Sequence, residues 1–134
     1  MLRAASHLVL ATGDVTAITR FFAEAFSVTP AFENDMFSEF VLPSKFRVAF
    51  FKPVGPSAGS FDETAQRDGV AVGLTVDDVD VAYERLDTLR VTFDHQLSGP
   101  PKDHPWGEKS FLLTDPDGNR WEITRAPSAD GMLV

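Results

Sequence analysis

A carboxylate near the C-terminal end of the chain lies where a strand normally carries a packing residue. It is Glu122, in the segment DPDGNRWE (115–122), whose first residues suit a hairpin turn and whose last residues begin a strand. A carboxylate in the middle of a strand faces either water or a cavity. In a cavity it can pair with a cation, bind a metal ion or accept a proton, so its role depends on the face of the sheet that it occupies.

Histidine is the other residue type here that could bind a metal or transfer protons. The chain has three histidines and no cysteine, which excludes disulfides, thiolate metal sites and cysteine nucleophiles. His7 is in the first apolar segment. His104, in PKDHPWG, is expected in a loop, and His95 is expected at the surface, where a strand ends.

The charge of the chain argues against polyanionic partners. With 20 acidic and 12 basic residues the formal net charge is −8, which disfavours nucleic acids and anionic membranes. The same charge favours a cationic ligand, although solubility alone also explains it. The apolar run near the N-terminus is too short for a signal peptide or a membrane span, so a cytoplasmic location is expected.

An internal repeat organises the chain. Segments 6–15 (SHLVLATGDV) and 70–79 (VAVGLTVDDV) each read as a short apolar strand followed by an acidic residue and valine, 64 positions apart. After each comes an apolar pattern with helical spacing. Asp14 and Asp78 occupy the positions expected for N-caps, where a carboxylate accepts backbone N–H groups.

Three strand-like segments follow each predicted helix, which gives two βαβββ units. We predict an α+β fold in which two curved, cup-like mixed sheets carry their helices on the outer face. The chain is predicted to be a single domain. Its parts are repeat one (about 6–53), a linker rich in Gly and Pro (54–69), repeat two (about 70–125) and a tail (126–134).

Strand alternation assigns side chains to the two faces of each sheet. In the last strand Trp121 and Ile123 are expected to lie under the helix, so Glu122 points to the concave side. The same period assigns small residues to the concave side, and large side chains or a ligand must fill the space beside them. The small residues so assigned are Ala11, Ala49, Ala71 and Gly73.

The ordered set of segments resembles the vicinal-oxygen-chelate superfamily, which includes glyoxalase, extradiol dioxygenases and bleomycin-resistance proteins. The resemblance covers about residues 6–125 and depends on HLVLATGDVTAITRFFAEAF, VGLTVDDVDVAYERL and PWGEKSFLLTDPDGNRWEI. In character the chain is most similar to the metal-free bleomycin-resistance type. The resemblance also implies a homodimer.

Metal-using members of that superfamily bind a divalent ion with His, Glu or Gln from inward positions of four strands. By resemblance His7 and Glu122 match two of these positions, while Ala71 and Ala49 occupy the other two. Open catalytic sites normally retain three protein ligands, so no metal cofactor is expected. If a metal is bound, His7 and Glu122 are its candidate ligands, completed by His104 or a partner chain.

A small-molecule site on the concave side is the alternative to a metal site. Phe51, Trp106 and Phe111 are expected to line it, and Glu122 is expected either to pair with Arg47 or Arg120 or to be available for proton transfer. The predicted ligand-binding set is His7, Arg47, Phe51, Trp106 and Glu122.

Two classes of function remain open. A binding protein would sequester an aromatic or cationic ligand through stacking and cation–π contacts. An enzyme would be either a metal-dependent lyase, thiol transferase or dioxygenase, or a metal-free isomerase or epimerase with Glu122 as the catalytic base. A purely structural role leaves the inward small residues unexplained.

Overall fold

The computed structural model describes residues 1–62 and 69–125. The chain divides into two compact units, unit one and unit two, and the boundary falls within residues 63–68. In the predicted linker, Gly55–Gly59 form a short 3-10 helix. The predicted tail (126–134) lies outside the described residues.

Unit one is a βαβββ unit, as predicted from the repeat. Its sheet has the order β1-β4-β3-β2, in which β1 pairs with β4 in parallel and the other pairs are antiparallel. The elements are β1 (His7–Ala11), α1 (Val15–Phe26), β2 (Phe32–Glu33), β3 (Phe37–Val41) and β4 (Arg47–Phe51).

Unit two repeats this arrangement with the order β5-β9-β8-β6. Its elements are β5 (Val72–Val76), α2 (Val79–Thr88), a 3-10 turn (Leu89–Val91), β6 (Gln96–Leu97), β7 (Lys102–Asp103), β8 (Lys109–Thr114) and β9 (Arg120–Arg125). The short β7, which pairs with β8, was not predicted. Two helices packed on two mixed sheets in the described residues confirm the α+β class.

Both helices begin at the predicted aspartates. The Asp14 carboxylate accepts a hydrogen bond from the backbone N–H of Ala17 (3.0 Å), and the Asp78 carboxylate accepts from Asp80 and Val81 (3.0 and 3.1 Å). Each carboxylate satisfies N–H groups that the first helical turn leaves without partners. No helix in the described parts of the chain is long and apolar enough to cross a membrane.

In unit one the alternate residues of the sheet pack against α1. Phe22 of α1 lies against Phe40 and Phe50, with ring centroids 4.8 and 5.7 Å apart. A buried hydrogen bond between the hydroxyls of Thr19 and Ser38 (2.6 Å) joins the helix to β3. The residues that alternate with the helix-facing residues along each strand therefore lie on the opposite face of the sheet. We call this face the open face.

The helix face of unit two contains Trp121 and Ile123, as predicted, and both are buried. Glu122, between them, is therefore on the open face. Phe111 was predicted to line the concave side, and this was wrong. Its ring packs edge-on against Tyr83 of α2 (5.3 Å), because Phe111 is opposite Ile123 in the register of β8 and β9 and so shares its face.

His95 is not at the surface, contrary to expectation. It precedes β6 and is buried, and its Nε2–H donates a hydrogen bond to the carbonyl oxygen of Leu86 in α2 (2.7 Å). A carbonyl can only accept, so this bond fixes the proton on Nε2. The bond ties the segment before β6 to the last turn of α2.

Candidate functional site

The open face of unit one holds three side chains that contact one another. His7 is opposite Arg47 in the pairing of β1 and β4, and Glu39 is opposite Ala49 in the pairing of β3 and β4. Nη1 of Arg47 lies 3.4 Å from Oε2 of Glu39. Nη2 of Arg47 lies 3.2 Å from Nδ1 of His7, which also contacts the Ser6 hydroxyl at 2.7 Å.

Two polar groups therefore lie within hydrogen-bond distance of the same nitrogen of His7. The guanidinium can only donate, whereas the Ser6 hydroxyl can donate or accept. Glu39 was missed in the sequence, although its alternation with Phe40 places it on the open face. Arg47 pairs with Glu39 and contacts His7 within its own sheet.

An apolar strip continues the open face of unit one. The rings of Phe51 and Phe61 meet edge to face at 4.7 Å, and Phe61 remains exposed. Ala49 is only 1% exposed and Ala11 only 4%, so neither methyl group opens onto empty space. The space beside these two alanines is therefore filled within the protein, which is one of the two alternatives expected from the sequence.

The open face of unit two differs from that of unit one in its central row, where a row is a set of residues that lie opposite one another on neighbouring strands. Glu122 of β9 lies between Gly73 of β5 and Leu112 of β8. Gly73 is exposed, and a Cβ atom placed on it would meet nothing within 4 Å. Glu122 is half-buried, and in residues 1–62 and 69–125 no group donates a hydrogen bond or ion pair to its carboxylate. Neither neighbour in its row can donate from its side chain.

The next row of unit two is polar. Thr124 of β9 is opposite Ser110 of β8. The Thr124 hydroxyl donates to Oε2 of Glu108 (3.2 Å), and Nε2 of His104 lies 2.8 Å from the Ser110 hydroxyl. His104, which was considered as a ligand that could complete a metal site, is thus attached to the row beside Glu122.

Trp106 extends this row into a loop. Its indole stacks on the His104 imidazole with centroids 4.6 Å apart and planes 7° apart. The backbone N–H of Gly107 donates to the carbonyl of His104 (3.0 Å), which closes a tight turn, and Gly107 takes the positive φ of 93° that the turn requires. Trp106 as a whole is 56% exposed.

Asp115, which starts the predicted turn, has a second role. One carboxylate oxygen accepts from the backbone N–H groups of Asp117 and Asn119 (2.9 Å each). The other accepts from the Asn119 amide (2.8 Å) and the Trp121 indole N–H (2.9 Å). Burial raises the pKa of Asp115 above its ordinary 3.8, and these four donors oppose that rise. The turn thereby fixes Trp121, whose neighbour Glu122 is turned to the open face.

The comparisons with known proteins agree with this architecture. The sequence profile of the family described as Glyoxalase/Bleomycin resistance protein/Dioxygenase superfamily matches residues 4–123. The chain belongs to this superfamily. Comparison with curated proteins finds no match.

Solved structures of the superfamily share the fold. A glyoxalase-related enzyme from Fulvimarina pelagi is 25% identical, with a TM-score of 0.76 over 99% of this chain and 98% of that chain. A superfamily member from Sphaerobacter thermophilus is 22% identical, with a TM-score of 0.70 over 93% and 98%. The fosfomycin resistance protein FosX from Listeria monocytogenes is 17% identical, with a TM-score of 0.70 over 98% of each chain.

The metal positions implied by the superfamily are not matched by a complete ligand set. In the described residues no three His, Cys, Asp or Glu side chains are grouped to hold an ion. Nδ1 of His7 already contacts the Arg47 guanidinium and the Ser6 hydroxyl. Glu122 has Gly73 and Leu112 beside it. These residues do not fit a catalytic metal, which normally has three protein ligands.

The five predicted ligand-binding residues divide between the units. His7, Arg47 and Phe51 share the open face of unit one. Glu122 is on the open face of unit two, and Trp106 adjoins that face through His104. Their role in binding stays a prediction.

Proposed function

We propose that this protein is a small-molecule-binding member of the superfamily that sequesters an aromatic or cationic ligand without a metal ion. The ligand lies on the open face of unit two. The observation that supports this proposal is the Glu122 carboxylate, which has no partner among the described residues and lies beside the open space at Gly73.

The surroundings of Glu122 favour a cation that comes from outside the chain. A half-buried carboxylate loses part of its hydration, and a donor with a positive charge restores that lost stabilisation. In unit one the equivalent need is met internally, because Arg47 reaches Glu39. The formal net charge of −8 adds a general attraction for cations.

The binding proposal is tested with the N-methylquinolinium cation and neutral quinoline at pH 8. We expect the cation to raise the melting temperature, since a ligand at about 100 times its Kd adds about 2.7 kcal/mol to the free energy of unfolding. Glu122→Gln should abolish the shift. Glu84→Gln, which removes the same charge from an exposed position on α2, should preserve it. Equal shifts in both variants would contradict the proposal.

Independence from metal is tested separately. Metal analysis of the purified protein and thermal-shift assays with Mn(II), Ni(II), Zn(II) and Fe(II) should give substoichiometric metal and at most a marginal shift. A stoichiometric ion whose binding is lost in His7→Ala and in Glu122→Gln would favour the metal-dependent lyase, thiol transferase or dioxygenase instead.

A metal-free isomerase or epimerase is the second candidate, and the same carboxylate favours it. A base must keep its lone pairs free until the substrate arrives, and Glu122 meets this requirement in the described structure. Its carboxylate would take a proton from an acidic C–H of the substrate and return it to the same carbon or to a neighbouring one. Deuterium exchange from D2O into an α-keto or CoA-linked substrate, lost in Glu122→Gln with an unchanged melting temperature, would support this candidate.

A homodimer in the cytoplasm forms part of the proposal, on the basis of the resemblance to the superfamily. Sedimentation at micromolar concentration is expected to give twice the chain mass of 14.7 kDa. A monomer under those conditions would contradict the dimer and leave the proposed ligand site unaffected.

A further inference from the structure

Ser110 and His104 form a close pair of hydroxyl and imidazole in unit two. Nε2 of His104 lies 2.8 Å from the Ser110 hydroxyl oxygen. We propose that Ser110 is a nucleophile with His104 as its base, and that this pair accepts a small acyl group from an activated ester. The reaction goes beyond the proposed function, because it forms a covalent bond and does not use Glu122.

Two hydroxyls in one row of the sheet have partners of different chemistry. Thr124 donates to the Glu108 carboxylate, and a carboxylate is a weak base near neutral pH. Ser110, which is opposite Thr124, is bonded to an imidazole instead. Imidazole is the side chain that readily takes up and releases a proton near neutral pH. Of these two hydroxyls, that of Ser110 is therefore the one beside an effective base.

The distance between Ser110 and His104 suits the transfer of a proton. A nucleophile and its base lie about 2.6–3.2 Å apart in enzymes that form covalent intermediates, and this pair falls within that range. A serine hydroxyl can donate or accept, and a neutral imidazole can accept on one nitrogen. When the Oγ–H group of Ser110 donates to Nε2 of His104, the ring can take the proton without movement of either side chain.

The backbone and the neighbouring ring hold His104 in place. The backbone N–H of His104 donates to the carbonyl of Glu108 (2.8 Å), which continues the pairing of β7 and β8 by one residue. Its ring stacks on Trp106 with planes 7° apart. A base that is oriented before the substrate arrives costs less entropy when the reaction begins.

Lys102 lies on the same face of the sheet as this pair. It is opposite Ser110 in the register of β7 and β8, and His104 is two residues further along the chain. Directly opposite residues have Cβ atoms about 4.5–5.5 Å apart, and residues two apart share a face. Lys102 is exposed and forms no ion pair in residues 1–62 and 69–125. Its ammonium group is therefore available to stabilise the negative oxygen that develops on the acyl carbon.

The proposed reaction has two steps. In the first step Oγ of Ser110 adds to the ester carbonyl carbon while Nε2 of His104 takes the hydroxyl proton. The bond from that carbon to the leaving oxygen then breaks, and His104 gives the proton to the leaving oxygen. In the second step His104 takes a proton from water as the water oxygen adds to the acyl carbon. The bond to Oγ then breaks, the proton returns to Oγ, and a carboxylic acid is released with no change of oxidation state.

The surroundings of the pair define the kind of ester. Ser110 is only 6% exposed, so the acyl group must be small. In the described residues no carboxylate is bonded to Nδ1 of His104, whereas serine hydrolases with a triad have one there to orient the base. A pair without this third group favours an ester whose leaving group departs as a stable anion. An aryl acetate has both properties.

The probe for this inference is p-nitrophenyl acetate, with release of p-nitrophenolate as the rate and peptide mass spectrometry to locate the acetyl group. We expect an acetyl ester on Ser110 that neutral hydroxylamine removes, whereas acetyl amides on lysine survive this treatment. Ser110→Ala should abolish the ester, and His104→Gln should slow its formation about hundredfold. Ser98→Ala, which removes the hydroxyl that accepts from the Leu112 backbone in the same sheet, should leave the rate unchanged.

A thiol at the same position tests the base without an ester. The chain has no cysteine, so Ser110→Cys introduces its sole thiol. A neighbouring imidazole increases the thiolate fraction, and the thiolate is the form that iodoacetamide alkylates. Adding His104→Gln to Ser110→Cys should therefore slow alkylation about tenfold. This test remains available if Ser110→Ala does not fold.

Lys102 is tested with p-nitrophenyl acetate in the otherwise unchanged protein. Lys102→Met should slow acetylation of Ser110 about tenfold, and Lys102→Arg should keep it within about twofold, because the positive charge is retained. Acetylation of Lys102→Met at the wild-type rate would show that the assignment of Lys102 is wrong.

Three results would overturn the proposal for Ser110 and His104. They are an acetyl group found only on amines, an ester that forms equally in Ser110→Ala, and a thiol in Ser110→Cys that is unreactive or unaffected by His104→Gln. Unchanged melting temperatures show that a lost reaction is not a lost fold. The cation site at Glu122 is tested separately with N-methylquinolinium, so either proposal can fail while the other stands.

Discussion

The last hairpin of unit one and that of unit two follow the same backbone path and carry different central residues. In residues 42–46 and 115–119 the first N–H donates to the fifth carbonyl (2.9 Å in each), and the fourth N–H donates to the first carbonyl (2.8 and 2.9 Å). Proline is second in both turns. Counting onward from the turns, Arg47 corresponds to Arg120 and Ala49 to Glu122.

The carboxylate of the central row is on different strands in the two units, one strand apart. In unit one the central row is Val9, Ala49 and Glu39, and in unit two it is Gly73, Glu122 and Leu112. In unit one the acid is therefore on the neighbouring strand, where Arg47 reaches it.

This difference shows how one backbone can support two roles. In unit one the polar groups of the open face pair with one another beside a buried alanine, so they need no partner from outside. In unit two the carboxylate occupies the central position with no internal donor among the described residues, and the small residue beside it leaves space. The repeat keeps the positions of the side chains and changes which of them need a partner from outside.

The largest expected effect comes from placing the carboxylate of unit two in unit one. Ala49→Glu puts a charge at a position that is 1% exposed and directly opposite Glu39. An uncompensated buried charge costs about 3–5 kcal/mol, and the neighbouring like charge adds to the loss. Urea denaturation should show this loss in the free energy of unfolding.

The reciprocal change tests the same comparison from the other unit. Glu122→Ala gives β9 the residue that β4 has at the same position. The free energy of unfolding should change by no more than about 0.5 kcal/mol, because no described interaction is lost. If Glu122→Ala costs as much as Ala49→Glu, Glu122 has a structural partner and the contrast between the units fails.

The fold could be predicted because its signals are local. Alternation over five or six residues and an aspartate before each helix are sufficient to place β1, α1 and their repeats, and both features depend on neighbouring residues alone. Alternation also placed Glu122 correctly, because Trp121 and Ile123 mark the buried face on either side of it.

The incorrect or missing predictions depend on contacts between different elements of the fold. Phe111 is followed by two leucines, so this strand has no alternation to read, and its face is set by pairing with Ile123. The burial of His95 depends on the Leu86 carbonyl, nine residues earlier. The bond between Arg47 and Glu39 joins the neighbouring strands β4 and β3. Such contacts follow from tertiary packing, which a local pattern does not contain.

A further prediction concerns the turn that orients Glu122. Asp115→Asn replaces one acceptor oxygen by an NH2 group, which must then face either two backbone donors or the donors of Asn119 and Trp121. Leaving such buried donors without acceptors should cost about 3 kcal/mol. The equivalent residue of unit one, Leu42, has no carboxylate, so Leu42→Asn is the matched control. Thermal unfolding that shows equal losses in the two variants would contradict this role of Asp115.

The pH dependence of the same residue gives a smaller effect. Since burial raises the pKa of Asp115 in the folded state above 3.8, the folded protein binds a proton more readily than the unfolded chain. Its contribution to the free energy of unfolding therefore falls as the pH rises from 3.8 towards the raised pKa. The stability of the wild type relative to Asp115→Asn should be greater at about pH 4.5 than at about pH 7, and the opposite slope would show that the four donors outweigh burial.

A small effect distinguishes the fourth residues of the two turns. Lys45 has a φ of 76° and Gly118 has a φ of 86°, in the region that only glycine adopts without strain. Gly118 has open space around its Cβ position, so Gly118→Lys should cost about 1 kcal/mol from backbone strain alone. Lys45→Gly should gain about 0.5 kcal/mol, because the greater entropy of glycine in the unfolded chain offsets part of the relief. Changes of the same sign in the two variants would show that the turns are not equivalent.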